Sequence, residues 1–257
     1  MTLTIVYDNN AYAAAGLEGL RTSWGFACWV ETGETTVLFD TGGDGATLLH
    51  NLDVLGLDPL MVDAVVLSHA HGDHTGGLGA LLDTGATPTV YAPISFSRGF
   101  KDQVRGRTEL VEVSGAVMVA PGIHSTGEVG ANTVEQSLAV ETEEGLVVIT
   151  GCAHPGVVKI VRRVHEHFDD GIALVAGGFH LGGTTRRGVE SIIMDFRNLG
   201  VKAVAPCHCA GDEARRLFDE AFGDDCVLAG VGWSTEFVRD ASDQHSIQVG
   251  DGTRGTE

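Results

Sequence analysis

Apolar residues fall into short runs in the first third of the chain. Positions 3–7, 26–31 and 36–39 are rich in β-branched and aromatic residues and are bounded by Gly and Asp, which predicts strands. The Gly33-Glu34 step between the last two predicts a tight hairpin turn. Positions 46–55 carry apolar residues at helical spacing and stop at Gly56, a residue suited to a helix C-terminus. The run 64–67 predicts a buried strand, 77–82 a short helix and 87–91 a further strand. The second half repeats the style. Positions 138–141 and 146–150 flank Glu144-Gly145 as a second hairpin. Apolar residues at 157, 158, 160, 161, 164 and 168 share one face of a helix. Strands are expected at 172–176, 203–205 and 227–231, and helices at 189–199 and 212–222. Residues 11–23 and 94–109 carry no readable pattern and are expected to be loops that shape a pocket.

Each half therefore runs strands first and strand–helix alternation afterwards. That order predicts an α/β fold in which two sheets pack together with helices outside. No Pro- or Ser-rich linker divides the chain. A single domain over residues 1–240 is expected, followed by a polar, frayed tail at 241–257.

Composition narrows the function classes. With 257 residues and 43% apolar, the chain can bury a sizeable core, which excludes disorder. A net charge of −19 argues against a nucleic-acid partner, because binding phosphates requires aligned Lys and Arg. No segment approaches the roughly 18 continuous apolar residues of a membrane helix, so no membrane partner is expected. The start, MTLTIVYDNN, has neither a basic region nor an apolar run leading to a cleavage site. Five cysteines (Cys28, Cys152, Cys207, Cys209 and Cys226) are then expected as reduced thiols in a cytoplasmic protein.

The chemistry concentrates in Ser68-His69-Ala70-His71-Gly72-Asp73-His74-Thr75-Gly76-Gly77. Three His and one Asp fall within six residues, just after the strand expected at 64–67. A strand that opens into a Gly-rich loop can turn several side chains toward one point. Imidazole nitrogens and a carboxylate oxygen suit zinc and its divalent neighbours, manganese and iron included.

The H-x-H-x-D-H segment resembles that of the metallo-β-lactamase superfamily. The resemblance implies a four-layer αββα sandwich of two mixed sheets flanked by helices. It extends to Phe39-Asp40-Thr41-Gly42, Gly151-Cys152-Ala153-His154, Gly177-Gly178-Phe179-His180-Leu181 and Pro206-Cys207-His208-Cys209. Further wording is similar to one branch, named for the dihydropterin-ribofuranosylaminobenzene-phosphate synthase of methanopterin biosynthesis. That wording includes Val6-Tyr7-Asp8-Asn9-Asn10, Trp24-Gly25-Phe26, Glu135-Gln136-Ser137-Leu138 and Pro155-Gly156. The resemblance implies a first metal on His69, His71 and His154, and a second on Asp73, His74 and His208. The superfamily usually places a bridging carboxylate in the fourth motif, where this chain has His180. His180 is expected either as a terminal ligand or as a contact for a substrate phosphate. Ala153 and Ala210 also depart from the branch, at positions that carry no ligand.

Other residues keep two readings each. Asp40 either orients a metal-binding His or forms a turn. Cys207 and Cys209 flank His208, and alternation along an extended segment would turn both away from it into packing, with a zinc-thiolate or redox role as the other reading. Cys152 is expected to be buried, and His165 and His167 to lie on a helix surface. His50, His124 and His245 have no companion pattern. Asn9, Asn10 and Asn51 are substrate-side or turn residues. Arg186-Arg187 either holds a phosphate or is a solvated pair.

The resemblance implies a metal-dependent enzyme acting on a small molecule, phosphorylated or not. Two divalent metals, zinc first among them, would activate a water or polarise a substrate oxygen, with Asp73 handling a proton. A phosphoribosyl-type transferase of the methanopterin pathway is the leading expectation. A hydrolase of a phosphoester, lactone or thioester is the second, and a non-catalytic metal-binding or sensing module the third.

Overall fold

The computed structural model describes residues 1–237 apart from 13–15, 17 and 169. The expected tail at 241–257 and His245 lie outside the described residues. One sheet is built from β1 (Thr2–Tyr7), β2 (Ala27–Glu31), β3 (Thr36–Phe39), β4 (Ala64–Val66), β5 (Thr89–Pro93) and β6 (Leu110–Val113). The second holds β7 (Val117–Ala120), β8 (Ile123–Ser125), β9 (Leu138–Val140), β10 (Leu146–Thr150), β11 (Ile172–Gly178) and β12 (Ala203–Cys207). The chain then returns to the first sheet, where β13 (Ser234–Glu236) pairs antiparallel with β1. The spatial orders are β13-β1-β2-β3-β4-β5-β6 and β12-β11-β10-β9-β8-β7. Both sheets are mixed: β3 to β6 run parallel, as do β10 to β12, and the remaining pairs are antiparallel.

Burial explains the apolar runs. Ile5, Phe26, Val37 and Phe39 from one sheet meet Leu138, Val147, Ile149 and Leu174 from the other in a shared core. Neighbouring residues on the same strands face the opposite way. Leu38 and Val65 pack under α1 (Gly45–Val54) and α3 (Leu78–Asp83) through Leu48, Leu52, Leu78 and Leu81. Val148 and Val175 pack under α5 (Val157–His167), α6 (Arg186–Asn198) and α7 (Asp212–Phe222) through Ile160, Phe196 and Phe218. Strands covered on both faces read as continuous apolar runs instead of alternating ones. The result is the expected helix–sheet–sheet–helix sandwich.

Three expectations need correction. The patternless stretch 94–109 contains α4 (Arg98–Arg105), capped by Ser97 accepting from the Phe100 amide. Only Val104 of this helix is buried, so its sequence shows no apolar stripe. Residues 227–231 do not form a strand; Val231 makes a single bridge, to Ala11. Helix α6 begins at Arg186, three residues early, because Thr185 caps it through the Gly188 amide.

The loops that matter leave the ends of β3 and β4 in one sheet and of β10, β11 and β12 in the other. Among the described residues the non-glycine positions with positive φ are Asp40, Ala153, His180 and His208. Each lies within three residues of the end of β3, β10, β11 or β12. Backbone held in that region is costly for an L residue and tends to gather where geometry is functional.

Candidate metal centre

The turn after β4 runs Ser68-His69 and then into the short helix α2 (Gly72–Thr75), which carries Asp73 and His74. His69, His71 and His154 each offer a nitrogen within 4.8 Å of the others. Asp73, His74, Cys152 and His208 form a second such group, and Cys152, His180 and Cys209 a third. The two expected ligand triples are therefore each brought together. His180 falls outside both, although its ring packs 4.2 Å from that of His154.

The hydrogen bonds around the imidazoles share one logic. His74 Nδ1 donates to Asp40 at 2.7 Å, which leaves Nε2 facing the Cys152 sulfur at 3.2 Å. His208 Nδ1 donates to Asn9 Oδ1 at 2.8 Å, and its Nε2 is buried. His154 Nδ1 donates to the Glu135 carboxylate, which also accepts the amides of Ala153 and His154. The Ser68 hydroxyl donates to Asp40 at 2.7 Å, so the Ser68 oxygen can accept from His69 Nδ1 at 2.9 Å. In each case an acceptor holds the Nδ1 side and turns Nε2 toward the other donors, His69 Nε2 lying 3.0 Å from His71 Nδ1, the orientation that metal-bound histidines require. His208 Nε2 makes no hydrogen bond and its nearest charged neighbour is the Asp73 carboxylate at 3.6 Å, which marks the space between them as a place for a cation. The donor set fits divalent metals.

Charges follow the same geometry. Burial, reinforced by the neighbouring imidazoles His74, His154 and His71, holds His69 far below the usual imidazole range, so it stays neutral. For His74 burial acts downward, but the Asp40, Asp73 and Glu135 carboxylates together outweigh it and raise the net value. Burial raises Asp40, against the pull of the His74 charge and the Ser68 hydrogen bonds. Contact with His208 holds the Asp73 carboxyl well below the ordinary carboxylate range, and burial only partly opposes it. A carboxylate held ionised in this way suits a metal ligand.

Among the expected substrate-side residues, Asn9 lies against the donor groups, where it buttresses His208. Both polar atoms of Asn9 are spent on His208, its amide donating to the His208 carbonyl at 3.2 Å. Asp8 accepts the His208 amide at 3.0 Å, so the end of β1 holds that loop in place. Asn51 is fully buried and bonded to Val6 and Arg21, with no face left for a substrate. Arg186 pairs with Glu190 at 2.9 Å and lines a cavity of about 300 Å³ between α6 and α7 that no metal-ligand candidate lines. Arg187 lies beside it, exposed, in the first turn of α6. His50 bonds the Gly19 carbonyl and His124 pairs with Glu141, away from the site. Cys207 is buried as expected, but Cys209 is not turned into packing: His208 has φ +47°, which bends the chain and brings Cys209 beside His180.

Sequence reasoning missed the work of two residues. Glu135 is wholly buried and holds His154, and Cys152 faces His74 and His208. The signal for Glu135 was a lone carboxylate before the apolar strand at 138–140. Gly151 makes the junction possible, because a Cβ there would overlap the Ser68 hydroxyl across the sheets. At the mouth, Trp24 is 60% exposed with its ring 5.0 Å from that of His208.

Residues 25–184 match the model of the metallo-beta-lactamase superfamily. The chain belongs to that superfamily. It is 28% identical over 235 residues to the Methanocaldococcus jannaschii 7,8-dihydropterin-6-methyl-4-(beta-D-ribofuranosyl)-aminobenzene-5'-phosphate synthase, covering 74% of this chain and 80% of the relative. A solved metal-dependent hydrolase of the beta-lactamase superfamily is 28% identical, with a TM-score of 0.76 over 93% of this chain and 100% of that one. The metallo-beta-lactamase fold protein YhfI from Bacillus subtilis, at 16% identity, shares the fold with a TM-score of 0.67 over 91% of this chain and 99% of its own. Among the described residues no helix is long and apolar enough to cross a membrane.

Proposed function

We propose that this protein is a zinc-dependent transferase that joins a dihydropterin-methyl unit to a ribofuranosylaminobenzene-type amine. The observation that carries the reading is the similarity to the archaeal synthase across most of both chains. That relative's name describes a product with the ribofuranosyl group already on the aminobenzene. The transfer reading therefore takes a pterin-methyl donor in place of the phosphoribosyl donor expected from the sequence. In the reaction the amine nitrogen bonds to the methyl carbon. The bond from that carbon to a phosphate or pyrophosphate leaving group breaks with its electron pair, and the amine proton leaves to solvent.

Bound divalent metals would supply the positive charge that neutralises the departing oxyanion in an otherwise acidic protein. The first would rest on His69, His71 and His154, and the second on Asp73, His74 and His208. Asp40, Glu135, Ser68 and Asn9 hold the imidazoles in the tautomer and direction they need. Trp24 offers a flat apolar face beside His208 on which a pterin or aryl ring can stack. His71 and His180, both exposed, line the approach to the site.

A second reading is water-only hydrolysis, favoured by the similarity to the metal-dependent hydrolase. Consumption of a dihydropterin-methyl pyrophosphate is to be followed with and without the ribofuranosylaminobenzene phosphate. Transfer predicts turnover only when the amine is present, with the coupled product seen by mass spectrometry. Equal consumption in water alone would establish hydrolysis and overturn the proposal.

A further inference from the structure

Seven nitrogen and oxygen donors were expected at this centre, and Asp73 is the single carboxylate among them. Two divalent cations would bring four positive charges to a site whose donors then carry one negative charge. The buried carboxylates of Asp40 and Glu135, behind His74 and His154, offset part of this and still leave positive charge in excess. An additional anionic donor would relieve it.

Cys152 lies where such a donor is needed. It follows β10 and is 4% exposed. Its sulfur is 3.2 Å from His74 Nε2 and within 4.8 Å of donor atoms of Asp73 and His208. His208 Nε2 is buried, makes no hydrogen bond and belongs to the same group. Two features hold Cys152 there. Gly178 has no Cβ, which lets the Cys152 backbone and the Cys209 sulfur approach it closely. The Cys209 thiol donates to the Cys152 carbonyl at 3.5 Å.

We propose that the Cys152 sulfur is a thiolate ligand of the second metal, completing a four-donor set with Asp73, His74 and His208. Binding breaks the S–H bond, the sulfur keeps its electron pair for the metal, and the proton leaves to solvent. A sulfur, two imidazoles and a carboxylate suit zinc, cobalt or iron(II), and disfavour magnesium and calcium, which take all-oxygen sets. The second site would then select its metal more sharply than the first. Cys209, in the neighbouring group with His180, is a positioning residue for Cys152. The inference rests on the two-metal part of the proposed function and is independent of the transfer reaction.

Stepwise addition of cobalt(II) to the metal-free protein tests it. The wild type is expected to bind two equivalents, with a near-ultraviolet sulfur-to-cobalt band growing in with one of them. Cys152→Ser should keep one site, lose the band and bind the other cobalt roughly tenfold or more weakly. Cys209→Ser should keep the band. Two cobalt ions without a band, or a band that survives Cys152→Ser, overturns the thiolate and leaves the two-metal centre standing. One cobalt at every loading in the wild type overturns both. Should Cys152→Ser fail to fold, X-ray absorption of the zinc-loaded wild type decides: a sulfur neighbour supports the ligand, and a purely nitrogen and oxygen shell contradicts it.

Discussion

The Nδ1 nitrogen of His74 and a carboxylate oxygen of Asp40 lie 2.7 Å apart, both fully buried. The contact ties the turn after β3 to helix α2 and aims His74 Nε2 at the second donor group. Removing the partner of a buried charge typically costs about 3–5 kcal/mol. Asp40→Ala is therefore expected to lower the melting temperature markedly in calorimetry. Asp40→Asn keeps the shape but weakens the acceptor. It should reduce second-site metal affinity about 10–100-fold, read by competition with a chromophoric chelator.

Glu135 plays the matching part for the first site. Its carboxylate takes the His154 ring proton and two backbone amides. Glu135→Gln should weaken first-site metal binding by about 10–100-fold and leave second-site binding nearly unchanged. Equal losses at both sites would show that Glu135 acts on the fold and not on His154.

The histidines should titrate apart in the metal-free protein. Burial lowers His69, while the carboxylates facing His74, Asp40 foremost, raise it above the ordinary imidazole value. Below pH 6.5 the unfolded chain protonates His69 and the folded chain does not, so that residue's contribution to stability falls on acidification. His74 acts in the opposite sense. Its contribution is full below the ordinary imidazole value of 6.5 and is lost as the pH rises through its raised folded value. Nitrogen-15 spectra of the rings followed across pH should place the His69 midpoint below 6.5 and the His74 midpoint above it. The reverse assignment would contradict the geometry.

Much of this centre could be read from the sequence because it is local. His69, His71, Asp73 and His74 follow one strand end, and a single loop gathers them. His154 and His208 were reachable only through the resemblance, since distant strands carry them. Glu135 and the contacts of Cys152 were not legible, because both depend on how the second sheet meets the first. Cys209 was misplaced by assuming an extended segment, which the left-handed turn at His208 breaks. In the fold, strands buried on both faces announced themselves as apolar runs. Helix α4 stayed hidden because it buries almost nothing.

Trp24 is exposed beside His208, and its indole is expected to meet a flat substrate ring. Trp24→Ala should raise KM at least roughly fivefold with little change in kcat, since an aromatic stack on a base-like ring contributes about 1–3 kcal/mol. Trp24→Phe should restore most of the loss. A fall in kcat alone would place Trp24 in the support of His208.

The two adjoining donor groups are expected to hold two metals, one of them through His208. Equilibrium dialysis against zinc, followed by elemental analysis of the wild type and of His208→Ala, tests it most directly. Two zinc ions per chain in the wild type and one in the variant are predicted. Equal zinc in the two proteins would contradict the account.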